Sequence, residues 1–205
     1  MADRQLEEFA EHLPRSATGD AHINSEDMEK IQTAIRSYDL EASREFLTEH
    51  DPFKLRGQDN IRRYVPVKRL LVRVHREDSA FDIVARLCAA RAAGCGVMIS
   101  YQTDDRIPWI PRLHELTAHW GARIQFLEQS DQAVARMIRN GDVGRVRCAA
   151  PDRVSQVLYK AAAGTSVYIA REPVLMHMRE QSISDDYHRY GNLGDRAEEA
   201  RAPVA

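Results

Sequence analysis

The strongest constraint on the fold is a regular alternation of apolar strand-like runs and amphipathic helical segments between residues 67 and 170. Short runs rich in branched apolar side chains are separated by segments in which apolar residues recur at helical spacing. The five strand-like runs lie at residues 70–74, 97–100, 124–127, 145–149 and 166–169. Strands that alternate with helices form parallel sheets, because each helix returns the chain to the same edge. We therefore expect an open, mainly parallel five-stranded sheet with helices on both faces.

Capping residues mark the boundaries of the helices in this region. Ser79 and Asp82 have the spacing of a capping box at the start of the first helix. Gly94 follows the same helix as a C-terminal glycine should, and Pro151 suits the first turn of the fourth helix. Five strands joined by four such helices predict a Rossmann-like α/β domain over residues 67–170.

The segments on either side of this domain have different patterns. Residues 1–24 are polar and predict a flexible N-terminus, whereas residues 25–66 predict a helical extension followed by a linker. Asn24 or Ser25 can cap a helix in that extension. Its apolar stripe is Met28, Ile31, Ile35 and Tyr38. One narrow stripe cannot stabilise an isolated helix, so this helix must pack on the α/β domain or on another chain.

Composition excludes several classes of partner. The chain of 205 residues has 29 basic and 31 acidic side chains and a formal charge of −2, so neither nucleic acid nor an anionic membrane is an expected partner. We find no apolar run long enough to span a bilayer, and the acidic N-terminus does not resemble a secretion signal. An odd number of cysteines, three, in apolar surroundings predicts reduced thiols in a cytoplasmic protein.

The turns that would hold a dinucleotide in a Rossmann-like domain lack the required glycines. The turn after the first strand, residues 75–79, contains two carboxylates and no glycine. The turn after the fourth strand, residues 149–152, also lacks glycine. Gly94 and Gly96 flank a helix-to-strand turn, which is the wrong edge of the sheet. We therefore expect no cofactor-binding residue in this chain and interpret the domain as a packed scaffold.

No arrangement of nucleophilic or metal-binding residues meets the usual criteria. Cys88, Cys95 and Cys148 are each interpreted as buried structural thiols. His114 and His119 are five residues apart, and this spacing places the second histidine off the face that a zinc-binding helix would use. Ser182, His188 and the pair Asp185 and Asp186 lie in one polar tail without a turn that would pre-organise them. We expect neither catalytic residues nor a metal.

The tail, residues 171–205, is the strongest functional candidate, as a docking element. It is polar, aromatic-rich and short of core residues, and its tyrosines and arginine are side-chain types that anchor protein interfaces. The expected interaction residues are Gln181, Ser182, Ile183, Tyr187, His188, Arg189, Tyr190 and Asn192.

Two segments resemble a known family. The first, residues 50–66, reads HDPFKLRGQDNIRRYVP, and the second combines residues 180–184, EQSIS, with residues 187–194, YHRYGNLG. Both resemble parts of the C-terminal region of bacterial L-glutamate gamma-semialdehyde dehydrogenases. These enzymes, also called 1-pyrroline-5-carboxylate dehydrogenases, belong to the aldehyde dehydrogenase superfamily and are often fused to proline dehydrogenase. The resemblance extends from about residue 44 to residue 194.

The resemblance implies a place in a larger proline-catabolic assembly. In that family the catalytic cysteine, general-base glutamate and NAD site precede this region, and no position here matches any of them. The α/β domain looks like a degenerate copy of the coenzyme-binding half. Such an appended domain is linked in the family with assembly and with covering the cavity through which the semialdehyde passes. NAD is thus a cofactor of the parent family and is not expected on this chain.

Two classes of function therefore remain open. The first is a non-catalytic domain whose partners are proline dehydrogenase, aldehyde dehydrogenase catalytic domains or a second copy of itself. The second is an NAD-dependent oxidoreductase or nucleotide-binding module that acts through the α/β domain. A remnant without a present role is a weaker third possibility.

Overall fold

A computed structural model describes residues 4–16, 23–103, 107–165, 167–170, 178–187 and 194–199. The α-helices within these ranges are α1 (Arg4–Ser16), α2 (Ser25–Glu41), α3 (Ala80–Ala92), α4 (Trp109–Leu116), α5 (Asp131–Arg139) and α6 (Gln156–Ala162). The strands are β1 (Gln58–Pro66), β2 (Arg69–Arg73), β3 (Gly96–Tyr101), β4 (Ile124–Glu128), β5 (Arg145–Arg147), β6 (Tyr168–Ala170) and β7 (Met178–Asp186). Within these ranges, no helix is both long enough and apolar enough to cross a bilayer.

Five strands form one sheet in the order β4-β3-β2-β5-β6, and every neighbouring pair is parallel. The chain builds outward from β2 to β4, returns to the other side of β2 as β5, and continues to β6. This arrangement confirms the predicted Rossmann-like α/β fold. The direction of strand addition changes between β2 and β5, which is where open α/β sheets usually bind their ligands.

Two hydrophobic cores cover the opposite faces of this sheet. Leu70 and Val72 of β2 belong to a core shared with α1, α2, α3 and α4, whereas Leu71 belongs to a core shared with α5 and α6. Successive side chains of a strand point to opposite faces, so a continuous apolar run such as β2 is buried on both sides. The helices on both faces are as the sequence predicts.

The predicted helix caps are largely present. Ser79 and Asp82 form a reciprocal capping box at the start of α3, and Gly94, with a φ of +74°, lies immediately after the C-cap residue of the same helix. The fourth helix of the domain differs from the prediction. Residues 151–153 form a 3-10 turn, and α6 begins only at Gln156, after Ser155.

The region before the domain is more ordered than the sequence predicts. Helix α2 begins after Asn24, whose side chain accepts a hydrogen bond of 2.7 Å from the Asp27 amide, as expected. Residues 4–16 form α1, although we expected a flexible N-terminus. Leu6, Phe9 and Leu13 are buried, and the ring of Phe9 lies 5.4 Å from that of Trp120. This apolar stripe accounts for the order of α1 in spite of its polar composition.

Strands β1 and β7 form a separate antiparallel ribbon of two strands. The sequence predicted a helical extension and linker over 25–66 and did not predict β1. Pro66, which precedes the α/β domain, pairs with Met178, which follows it, so the ribbon begins where the chain enters and leaves the domain. Met178 is buried in the core, whereas residues 179–186 of β7 are exposed. The ribbon therefore extends from the domain.

Candidate functional site

Half of the predicted interaction residues lie on or beside the ribbon. Gln181, Ser182 and Ile183 are consecutive residues of β7, and Tyr187 follows its last residue. The other predicted residues, His188, Arg189, Tyr190 and Asn192, lie outside the described residues.

In the described part of the chain, no strand pairs with the outer edge of β7. The amide and carbonyl of Arg62 both bond to His50 on the side of β1 away from β7, so Arg62 and Ser182 form a non-hydrogen-bonded pair. In agreement with this pattern, the Tyr187 amide donates to the Gly57 carbonyl at 3.0 Å. Gly57 and Tyr187, at the tip of the ribbon, therefore form a hydrogen-bonded pair. The backbone groups of every second β7 residue therefore point away from β1. Apart from the buried Met178, these residues are exposed: Glu180, Ser182, Ser184 and Asp186.

The side chains of the ribbon divide between two faces. One face holds the Tyr64 ring, which makes an edge-on contact with Phe46 at 5.1 Å. The other face carries the cross-strand pair Ile61 and Ile183, and Ile183 is 39% exposed. An exposed isoleucine beside an open strand edge is a combination that protein partners use.

The segment before β1 adds further exposed apolar side chains. Most of the large apolar residues that are exposed in the described chain precede β1 within residues 40–55. They are Leu40, Leu47, Phe53 and Leu55, which are between 49% and 62% exposed. Single exposed apolar residues are ordinary, but a concentration of them in one segment indicates a contact surface.

A clasp formed by residues 194–199 holds the tip of the ribbon. The Arg196 guanidinium donates to both carboxylate oxygens of Asp59, at 2.7 and 3.1 Å, and lies over the Tyr187 ring at 3.9 Å. The Tyr187 hydroxyl in turn accepts a hydrogen bond of 3.0 Å from the Gly57 amide. Bidentate arginine pairs and cation–π contacts have defined geometry, so this clasp fixes the last residues of β7 against β1. Tyr187 thus has a structural role within the chain.

The other candidate site is the carboxyl edge of the parallel sheet, where a Rossmann-like domain binds nucleotides. Side chains of the chain itself occupy this edge. At the start of α3 the Ser79 hydroxyl accepts from the Asp82 amide at 3.0 Å, and the Asp82 carboxylate accepts from the Ser79 amide at 3.2 Å. Arg86 donates across the crevice from α3 to the Ala149 carbonyl after β5, at 2.9 Å. The first turn of α3, where a Rossmann-like domain would hold a pyrophosphate, is therefore occupied by a carboxylate.

A second carboxylate in the same turn is buried. Asp78, only 3% exposed at its side chain, accepts the His75 amide at 3.0 Å and lies 3.6 Å from the Arg153 guanidinium. Burial raises the pKa of Asp78, and the hydrogen bond from the His75 backbone opposes that effect. Negative charge at this position would repel the phosphates of a nucleotide.

A buried arginine closes the carboxyl edge between β2 and β4. Arg73, whose side chain is fully buried, donates to the Ser100 hydroxyl at 2.7 Å, to the Gln129 carbonyl at 2.9 Å and to the Asp131 carboxylate at 2.7 Å. Its partners come from β3, from the residue after β4 and from the first residue of α5, so the arginine connects β2 to these segments. Sequence analysis missed this role, because an arginine within a strand gives no sign of its partners.

The cysteines and histidines form no catalytic or metal centre in the part of the chain that the structure describes. All three cysteines are buried, as expected, and burial raises the pKa of Cys95 to about 11 and that of Cys148 to about 12. Thiols in this state are poor nucleophiles near neutral pH. His114 stacks on the Phe126 ring at 3.7 Å, and no group of three metal-binding side chains is found among the described residues.

The fold and the ribbon define a Rossmann-type α/β domain that carries a two-stranded extension. The structure is similar to that of an aldehyde dehydrogenase from Bacillus cereus in complex with NAD+, with a TM-score of 0.63 and 15% identity over 80% of this chain and 36% of that one. It is also similar to succinic semialdehyde dehydrogenase from Streptococcus pyogenes in complex with NADP+, with a TM-score of 0.62, 15% identity, and coverage of 80% and 39%.

A third similar structure is proline utilization A with proline bound in remote sites. Its TM-score is 0.64, with 19% identity over 80% of this chain and 19% of that one. The sequence matches no protein-family model and no curated protein. The chain thus has the fold of part of an aldehyde dehydrogenase and spans less than two fifths of the length of these similar structures.

Proposed function

We propose that this chain is a non-catalytic, aldehyde-dehydrogenase-like assembly domain that contacts its partner through the ribbon. The observation that carries the proposal is the open edge of β7, where the backbone groups of alternate residues point away from β1 beside the exposed Ile183. An edge of nine residues is long enough to accept a strand from another chain, with backbone hydrogen bonds providing the affinity.

The proposed partners are enzymes of proline catabolism. The resemblance of residues 50–66 and 180–194 to L-glutamate gamma-semialdehyde dehydrogenases supports this choice, because those segments contain β1 and most of β7. In this proposal the domain stabilises an assembly with proline dehydrogenase or with an aldehyde dehydrogenase catalytic domain and helps to cover the cavity used by the semialdehyde. Self-association through the same edge is the alternative outcome of the test.

The test removes one outward-pointing amide while keeping the ribbon. Ser182→Pro deletes a backbone donor that faces away from β1, whereas Ser182→Ala keeps that donor and serves as the matched control. Light scattering measures self-association, and co-purification measures binding to the two enzymes. We expect the proline variant alone to lose association. A wild-type chain that stays monomeric and binds neither enzyme would contradict the proposal.

The second candidate function is an NAD-dependent oxidoreductase or nucleotide-binding module. Similarity of the fold to structures in complex with NAD+ and NADP+ favours it, whereas the carboxylates around α3 oppose it. Calorimetric titration of the chain with NAD+, NADH and ATP separates the two candidates. Micromolar binding would support the second and would overturn our interpretation of the carboxyl edge.

A further inference from the structure

A cavity of about 570 Å³ lies at the amino edge of the parallel sheet, opposite the edge that Rossmann-like domains use for nucleotides. Three parts of the chain meet there: residues 67–69 leading into β2, Arg145 at the start of β5, and the first residues of β7. The cavity therefore lies between the sheet and the base of the ribbon. Its volume falls in the range of small-molecule sites and exceeds what a single inorganic ion fills.

The lining of this cavity is strongly cationic. Its described residues include four cations, Lys68, Arg69, Arg145 and Arg179, and one carboxylate, that of Glu180. Positive charges gathered in a concave, partly apolar site concentrate anions more strongly than the same charges spread over a convex surface.

The four cations differ in how much of their charge is compensated. Arg69 has an acidic neighbour, Asp142, at 4.0 Å, with both side chains about half exposed. Lys68 and Arg179 form no ion pair within the described ranges of the chain. Arg145 is 7% exposed and has contacts of its own within the chain, so it forms a fixed part of the cavity wall.

Glycine keeps the wall of the cavity close to the sheet. The Gly144 amide donates to the Arg69 carbonyl at 2.8 Å, and a Cβ atom at position 144 would lie 2.8 Å from a methyl carbon of Val67. A larger residue at position 144 would therefore have to displace the Val67 side chain. The approach sets the distance between the cations on β2 and the arginine on β5.

We propose that this cavity binds a small organic anion with two acidic groups, either a dicarboxylate or a diphosphate. One acidic group contacts Lys68 and Arg145 at the sheet, and the other contacts Arg179 on β7. Binding would then join the base of the ribbon to the sheet. Glu180 belongs both to this cavity and to the open edge of β7, but the cations of the cavity do not lie on that edge, so different variants test the two proposals.

Isothermal titration of the full chain at low ionic strength, with pyrophosphate and with glutarate as separate probes, tests the proposal. The variant Lys68→Gln/Arg179→Gln removes two exposed cations and leaves buried Arg145 in place, so the fold should be retained. The control, Arg76→Gln, removes an exposed arginine after β2 at the opposite edge of the sheet. We expect the double variant to weaken binding by about tenfold or more and the control to change it by less than about twofold.

The two probes identify which chemistry the site prefers. Tighter binding of pyrophosphate indicates a diphosphate, and tighter binding of glutarate indicates a dicarboxylate. Added salt should weaken either interaction. Binding should also slow amide hydrogen exchange at residues 178–180. Absence of binding by both probes at millimolar concentration, or equal weakening by the control variant, would overturn the proposal.

Discussion

Buried charge explains the role of single residues at the carboxyl edge of the sheet. Arg73 has no exposed surface and relies on Asp131 for a counter-charge and on Ser100 for a further acceptor. Removing one partner of a buried ion pair leaves the other buried charge without a counter-charge.

Asp131→Ala should therefore lower the free energy of unfolding by about 3 kcal/mol. Asp142→Ala is the matched control, because Asp142 meets Arg69 at 4.0 Å with both side chains well exposed, and it should cost less than about 1 kcal/mol. Urea denaturation measures both changes. Equal effects of the two variants would show that Arg73 does not depend on its carboxylate partner.

A second residue-scale prediction concerns pH. Because burial raises the pKa of Asp78, the folded state holds a proton that the unfolded state releases as the pH rises above about 3.8. Stability contributed by protonated Asp78 is therefore present at low pH and is lost as pH rises through its folded pKa. Asp78→Asn should thus stabilise the chain more at pH 7 than at pH 3, where both side chains are neutral.

Thermal unfolding of wild type and Asp78→Asn at the two pH values checks this sign. Glu77→Gln, at a half-exposed neighbouring carboxylate, controls for the change in total charge. A larger gain at pH 3 than at pH 7 would contradict the burial argument.

At the scale of elements, the α/β domain could be predicted from sequence, whereas the ribbon could not. The run at β2 is apolar on both faces, and its buried strand is therefore visible in composition alone. Strand β1 is half-buried throughout and mixes polar with apolar residues, so no alternation marks it. Its partner is also distant, since Arg63 and Gln181 are 118 residues apart in sequence. Only the resemblance of the two segments to one family linked them.

The clasp at the ribbon tip gives a prediction about local stability. Arg196→Ala removes the bidentate pair with Asp59 and the contact with the Tyr187 ring. We expect faster amide hydrogen exchange at the tip, residues 57–59 and 185–187. Without the clasp contacts, the free energy needed to open the tip locally is lower. Exchange at the base, residues 65 and 178–179, should be unchanged and serves as an internal control. Uniform acceleration along both strands would mean that the clasp supports the whole ribbon.

At the scale of the whole molecule, the entire α/β domain separates the two strands of the ribbon in sequence. Pairing β1 with β7 in an unfolded chain would close a loop of more than a hundred residues, which costs conformational entropy before any contact compensates. Once the domain has folded, Pro66 and Met178 are already adjacent and the same pairing costs little. The ribbon should therefore form after the transition state for folding of the domain.

This order of events predicts how two variants, each with one side chain shortened to alanine, change the folding and unfolding rates. Tyr64→Ala removes the edge-on contact with Phe46 in the ribbon region and should raise the unfolding rate by about fivefold or more with little change in the folding rate. Val72→Ala, in the buried central strand, should slow folding. Stopped-flow measurements at several protein concentrations separate these rates from association. A marked slowing of folding by Tyr64→Ala would show instead that ribbon pairing precedes, and helps to organise, the α/β domain.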